Sequence, residues 1–206
     1  MNLLDLEVVK EAVAVLKKGG VIAFPTETSY GLGASAQEPA ALEKIYQIKQ
    51  RSKSKPLLVL ISSHNQLDGL VDTITECAIK LMDRFWPGPL TILFKARPGL
   101  HWALTGNTGK IGVRLSSHPL ANEIVSRLGI PVTATSCNKS NRQAANSPEE
   151  VKASLGECMP DYICDGGQTP GGLPSTIVDA TLPIPKIVRV GVVDPKDILA
   201  ECGIEP

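Results

Sequence analysis

The sequence predicts an α/β layered fold forming one domain over residues 1–206, and three observations predict it. Segments of helical period alternate with short apolar, strand-like runs along the whole chain. No repeat, linker or low-complexity tract divides it. With 206 residues, 43% hydrophobic and 20% charged, the chain carries enough apolar material for one buried core and too little charge for disorder.

The elements follow in order. Leu6, Val9, Val13 and Leu16 recur at helical spacing, and Gly19-Gly20 ends that helix. Val21 to Phe24 reads as a buried strand closed by Pro25, and a second helix starts near Pro39 with Ala41, Ile45 and Ile48 on one face. After Pro56, the run Leu57 to Ile61 has the length and composition of a buried strand. A helix through Ile79, Met82 and Phe85 ends before the turn Trp86-Pro87-Gly88-Pro89. Leu90–Lys95 and Lys110–Leu115 are strands, Pro119–Leu128 is a helix closed by Gly129, and Pro131–Ser136 returns as a strand. Ser147-Pro148-Glu149-Glu150 is a capping box with proline at the first helical position. Asp165-Gly166-Gly167 and Pro170-Gly171-Gly172 frame a loop. Strands over Thr176–Ala180 and Lys186–Val190 and a last helix from Asp194-Pro195 to Gly203 complete the alternation.

Composition excludes several functions. Lys+Arg and Asp+Glu balance at 21 each, so no global charge draws the chain to nucleic acid or membrane. Aromatic residues at 4% argue against a stacking platform for single strands. No apolar run approaches membrane-spanning length. The N-terminus has early acids and no basic segment before an apolar core, so a cytoplasmic protein is expected. Cys77, Cys137, Cys158, Cys164 and Cys202 are odd in number, contain no C-x-x-C pair and lie apart from the histidines. Free, mostly buried thiols and no metal site are expected.

The balanced charge is unevenly spread. Residues 44–67, 84–122 and 124–148 contain no Asp or Glu, yet hold 13 of the 21 cations. Gathered in space, these make a site for phosphate or another anion; left apart, they are solvated surface charge. The sharpest feature is Lys49-Gln50-Arg51-Ser52-Lys53-Ser54-Lys55-Pro56, where extended backbone puts all four cations on one face. Arginine there offers a planar fork for oxygen pairs, and lysine a point charge. No phosphate-binding G-x-x-x-x-G-K-[ST] loop occurs. Gly31-Leu32-Gly33-Ala34-Ser35-Ala36 matches G-x-G-x-x-A, but six residues separate it from the preceding strand, which is the wrong context for a dinucleotide site. No nucleophile–base pair is visible, and Cys137 is read as a spectator. Glu27, the one carboxylate between Glu11 and Glu38, follows a strand end and serves either as a base or in a turn.

Taken together the motifs resemble those of the YrdC/TsaC family of threonylcarbamoyl-AMP synthases. Pro25-Thr26-Glu27-Thr28-Ser29-Tyr30-Gly31-Leu32-Gly33 is similar to the family's P-T-E-T-x-Y-G-L-G signature, Lys49-Gln50-Arg51 to its K-x-R motif and Ser136-Cys137-Asn138 to its S-x-N motif. Trp86–Thr91, Gly112-Val113-Arg114, His118-Pro119, Ser175–Asp179 and Val188-Arg189 follow in the family's order. The resemblance covers roughly Lys10 to Val192 and looks like the single-domain form.

It implies a YrdC-like fold: a twisted, mixed, parallel-rich sheet with flanking helices and a deep, positively charged groove. It implies an enzyme that converts L-threonine, bicarbonate and ATP, with Mg²⁺, to L-threonylcarbamoyl-AMP and pyrophosphate. A downstream threonylcarbamoyl transferase complex then modifies tRNA. Carried over residue by residue, Lys49 and Arg51 are the catalytic, phosphate-clamping pair. Lys55, Lys110, Ser136, Asn138 and Arg189 join them on ATP, while Thr28, Arg114, Ala134 and Ser175 form the threonine pocket. Leu60, Pro174 and Lys55 depart from the usual family histidine, glutamate and asparagine. The alternatives are a YciO-like paralogue without synthase activity, or a protein that binds double-stranded RNA or tRNA by shape and phosphate contacts.

Overall fold

A computed structural model describes residues 3–140 and 142–204. The first half of the chain forms α1 (Leu3–Lys17), β1 (Ile22–Pro25), β2 (Tyr30–Gly33), α2 (Pro39–Lys49), β3 (Val59–Ile61), a 3₁₀ turn (His64–Gly69), β4 (Val71–Thr73) and α3 (Glu76–Phe85). The second half forms β5 (Leu90–Ala96), α4 (Trp102–Thr105), β6 (Lys110–Leu115), α5 (Pro119–Leu128), β7 (Val132–Thr133), β8 (Thr135–Ser136), α6 (Pro148–Leu155), β9 (Tyr162–Ile163), β10 (Thr176–Asp179), β11 (Lys186–Arg189) and α7 (Pro195–Glu201).

Local chemistry accounts for the helix ends. The Ser147 hydroxyl accepts the Glu150 N–H at 3.3 Å and opens α6. Thr75 does the same for Ala78 at α3, and Asp194 for Lys196 at α7. Gly129 closes α5 with φ 74°, a backbone state that costs a side-chain-bearing residue more.

The strands make two mixed sheets rather than one. The smaller has the order β8-β2-β1-β9, and the larger β11-β10-β5-β6-β3-β7 with β4 on β5. Mixed pairing is as expected, but the parallel-rich part of the expectation is corrected. Only β1–β9, β5–β10 and β3–β6 run parallel among the described residues. The connections explain this: β1 and β2 are joined by four residues and β10 and β11 by six, and such short links allow only antiparallel neighbours.

The strand expected over Pro131–Ser136 is two strands. Thr133 pairs with Val59 of the larger sheet, Thr135 with Leu32 of the smaller, and Ala134 between them donates its N–H to Leu58. The chain thus changes sheets at Ala134.

Two apolar clusters hold the layers. Val9, Val13 and Leu16 of α1 and Ile124, Val125 and Leu128 of α5 pack on Ile22, Phe24 and Leu60. The larger cluster joins α2, α3 and both sheets through Leu32, Leu42, Ile45, Leu81, Phe94 and Val113. Each such side chain contributes about 1.5–3 kcal/mol when fully buried. Ile79 faces out at 46% exposure, and Ala78, Leu81 and Met82 form the buried face of α3 instead.

Gly31 and Gly33 lie within β2, not in a strand–turn–helix. A Cβ on Gly33 would meet the Phe24 ring at 2.6 Å and Val132 at 2.9 Å, so packing explains this glycine. The expectation of free thiols is corrected for one pair: Cys77 on α3 and Cys202 after α7 form a disulfide with Cα atoms 5.2 Å apart. They are 125 residues apart in sequence, so spacing carries no sign of the pairing. Cys137 and Cys164 are buried and free, as expected.

Candidate active site

The change of sheets at Ala134 leaves a cleft between the two sheets. It holds a cavity of about 500 Å³, within the range of small-molecule sites. The β1–β2 turn supplies Thr26, Thr28 and Ser29, β6 supplies Arg114, and β8 and the loop after it supply Ser136, Asn138 and Arg142. Arg51, Ser175 and Arg189 add to the polar lining. Among the described residues, four arginines and no carboxylate line this space. A cavity so built favours anions, because guanidinium groups remain charged and present paired donors.

The turn is braced by its own threonine. Thr26 Oγ1 donates to the Ser29 carbonyl at 2.7 Å and accepts the Thr28 and Ser29 N–H groups at 3.3 and 3.4 Å. Thr28 Oγ1 lies 3.1 Å from Thr26 Oγ1. On the facing side, Ser175 Oγ is 3.0 Å from Thr91 Oγ1. Arg189 donates to the Ser175 carbonyl at 2.8 Å and to its hydroxyl at 3.0 Å.

Arg51 donates to the Lys55 and Pro56 carbonyls, both at 3.1 Å. Burial lowers the proton affinity of Arg51, Arg114 and Arg189 alike, and Arg114 and Arg51 lower that of Arg189 further. Arg189 thus feels both other cations across the cavity. An anion between them relieves both the burial cost and the repulsion.

Of the residues carried over from the family motifs, the cavity gathers Thr28, Arg51, Arg114, Ala134, Ser136, Asn138, Ser175 and Arg189. Lys49, Lys55 and Lys110 lie outside its lining. Lys49 is 1% exposed, and its ammonium donates to the Ser136 carbonyl, to the Asn138 carbonyl at 3.0 Å and to Asn138 Oδ1 at 2.8 Å. It therefore braces the strand end that presents Ser136 and Asn138, whose side chains bond each other at 2.8 Å. Burial, reinforced by Arg51, pushes the Lys49 amine down to about 7. Lys110 pairs with Asp179 at 2.5 Å.

The idea that Lys49, Arg51, Lys53 and Lys55 share a face is corrected. A turn held by the Lys55 N–H on the Ser52 carbonyl at 3.1 Å breaks the extended alternation. Lys53 sits over the Trp102 ring instead, 5.2 Å from its centre.

Sequence reasoning gave Arg142 no role, although it lies in an acid-free stretch, and gave Thr91 none at all. Leu60, the departure from a family histidine, is buried among apolar neighbours, and Leu58 lines the cavity. Pro174 lies in the lining. Among the described residues no helix is long and apolar enough to cross a membrane, and no three His, Cys, Asp or Glu side chains gather to hold a metal.

Fold and cavity together define an α/β protein with an arginine-lined cavity between two mixed sheets. A model of the Sua5/yciO/yrdC family, described as "Telomere recombination", matches residues 14–191. The threonylcarbamoyl-AMP synthase of Bacillus subtilis is 37% identical over 95% of this chain and 56% of its own length. The one from Klebsiella pneumoniae is 35% identical over 87% of this chain and 94% of its own. The crystal structure of Pyrococcus abyssi Sua5 complexed with L-threonine superposes with TM-score 0.91 at 33% identity, covering 98% of this chain and 59% of that one. The crystal structure of Escherichia coli YciO gives 0.84 at 30% identity, covering 94% and 93%. The chain belongs to the Sua5/YciO/YrdC family. It spans a little over half the length of its Bacillus and Pyrococcus relatives and nearly all of the Klebsiella protein and of YciO.

Proposed function

We propose that this chain is an L-threonylcarbamoyladenylate synthase acting in the cytoplasm. It joins L-threonine, bicarbonate and ATP into L-threonylcarbamoyl-AMP, releasing pyrophosphate and water. The observation that carries the reading is the convergence of Arg51, Arg114 and Arg189 on one cavity free of carboxylates. The family's named synthases support it. So does the threonine complex of a relative with the same fold.

The chemistry suits these residues. The amine of threonine and bicarbonate form a carbamate, whose oxygen attacks the α-phosphorus of ATP while the bond to pyrophosphate breaks. Negative charge grows on the α-phosphoryl oxygens and the leaving group, so fixed cations and positioning supply the catalysis. In this reading Arg51 and Arg189 hold the phosphates, Ser136 and Asn138 orient the nucleotide, and Lys49 fixes those two in place. Lys55, next to the lining Pro56, and Lys110, held by Asp179, are outer nucleotide contacts. Arg114 takes the carboxylate of threonine in a bidentate fork, with Thr28, Ser175 and the Ala134 backbone around the rest of the amino acid. The lining offers no carboxylate for Mg²⁺, so the metal belongs to the ATP substrate and no step runs through it. The product then passes to a threonylcarbamoyl transferase complex that modifies tRNA.

The test is pyrophosphate release from ATP and bicarbonate, with L-threonine, with serine, or with neither. Threonine-dependent release is expected, and Arg114→Ala is expected to raise the threonine requirement steeply. ATP binding without such release would place the chain with a YciO-like activity or an RNA-binding role. A threonine requirement unchanged in Arg114→Ala would remove the pocket assignment.

A further inference from the structure

Directly behind Arg114 lies a polar cluster that neither the nucleotide nor the amino acid accounts for. Arg114 is 4% exposed, and no hydrogen bond among the described residues takes one of its guanidinium protons. Among the described residues its one ion pair is with Glu27, whose Oε1 lies 3.5 Å from Nη1. That distance is a charge contact and leaves the donors of the guanidinium uncommitted.

Glu27 itself is held. Its Oε2 accepts the Ser116 hydroxyl, and the same hydroxyl accepts the His118 N–H at 3.2 Å. The turn that carries Glu27 is fixed by the Thr26 hydroxyl. Three buried atoms, Glu27 Oε1, Arg114 Nε and His118 Nδ1, have no hydrogen-bond partner. Such atoms are costly in a fold, and they cluster where a ligand or a function needs them.

We infer that Glu27 is a positioning residue: it holds Arg114 charged and aimed into the cavity for a substrate carboxylate, with Ser116, itself braced by the His118 N–H, holding Glu27. A buried cation with no countercharge is expensive, and a guanidinium tied up by a close, two-pronged carboxylate has no fork left for substrate. A carboxylate 3.5 Å away, anchored by a neighbouring hydroxyl, avoids both outcomes. Glu27 sits outside the cavity lining, so it acts through Arg114 rather than on the reacting atoms. The identity of that substrate as threonine rests on the function proposed above; the coupling of Glu27 to Arg114 does not.

Two measurements separate these. In the first, the Arg114 Nε–H signal is followed by NMR in the unliganded protein, assigned with Arg114→Lys. Glu27→Gln is expected to shift that signal and speed its exchange with water, while the other arginine signals stay in place. An unmoved signal would overturn the inference whatever the substrate. In the second, steady-state kinetics of Glu27→Gln are expected to show a rise of about tenfold or more in the KM for threonine. kcat and the KM for ATP are expected to remain within about twofold, because uniform binding of the amino acid is what is lost.

A threonine KM within twofold of wild type, in a protein that does turn over threonine, would also overturn the inference. Loss of threonine dependence in the wild type would instead sink the functional reading and leave the NMR result to decide the positioning role. If Glu27→Gln fails to fold, Ser116→Ala takes its place. That variant keeps both charges and removes only the hydroxyl on Glu27, and the same NMR shift and a smaller KM rise are expected.

Discussion

Replacing Lys49 with methionine sets two opposing effects of similar size against each other. The amine is pushed down to about 7 by burial, with Arg51 adding to the effect, against an ordinary value of 10.5. Below the folded value the group is charged in both states, and its burial lowers stability by about 5 kcal/mol by linkage. The same ammonium donates to the Ser136 carbonyl and to two oxygens of Asn138. Losing those bonds costs about 1.5 kcal/mol each, the lower end for a charged donor. Lys49→Met is therefore expected to change stability at pH 7 by no more than about 2 kcal/mol, because the two effects offset.

The pH dependence isolates the charge. Between about 7 and 10.5 the unfolded chain binds more protons at this site than the folded one, so the Lys49 contribution to stability rises with pH. Wild type is expected to gain about 2 kcal/mol over the variant between pH 7 and pH 9. Urea unfolding of both proteins at pH 6, 7, 8 and 9 measures this, since every other group cancels in the difference. A difference that stays flat across that range would refute the burial argument. Activity follows a different course: with its brace gone, the Ser136–Asn138 segment is expected to lose its hold on ATP in the variant at every pH.

Two other predictions concern the framework. A Cβ on Gly191 would lie 2.1 Å from the Pro174 carbonyl oxygen and 2.5 Å from the Ser175 carbonyl carbon, both backbone atoms that cannot swing aside. Gly191→Ala is expected to cost about 3 kcal/mol or more by chemical denaturation and to weaken substrate binding through Ser175 and Arg189. An unchanged midpoint would show that the strand end moves freely. Cys202→Ser removes the link between α3 and the end of α7 and is expected to cost about 2–4 kcal/mol under oxidising conditions and little in reductant. The same loss with and without reductant would mean that packing, not the crosslink, holds α7.

By itself the sequence determined what local physics decides. Ser147, Pro119 and Gly129 mark their helix ends because capping and backbone preference act within a few residues, and Lys110–Leu115 and Pro119–Leu128 lie where their patterns put them. The family motifs named most of the cavity, including Arg51, Arg114, Ser175 and Arg189, because the residue types themselves carry the chemistry. Tertiary structure decided the rest. The six residues from Pro131 read as one strand, yet hydrogen bonds to two different sheets divide them at Ala134, and that division opens the cleft. Lys49 reads as a phosphate clamp beside Arg51, but the helix end turns its amine inward onto the Ser136 and Asn138 oxygens. Cys77 and Cys202 read as unrelated thiols until α7 packs on α3. Glu27 and Arg114 are 87 residues apart by number, and no periodicity couples them. Contacts of that range depend on how the sheets stack, and stacking is a property of the whole core rather than of any segment.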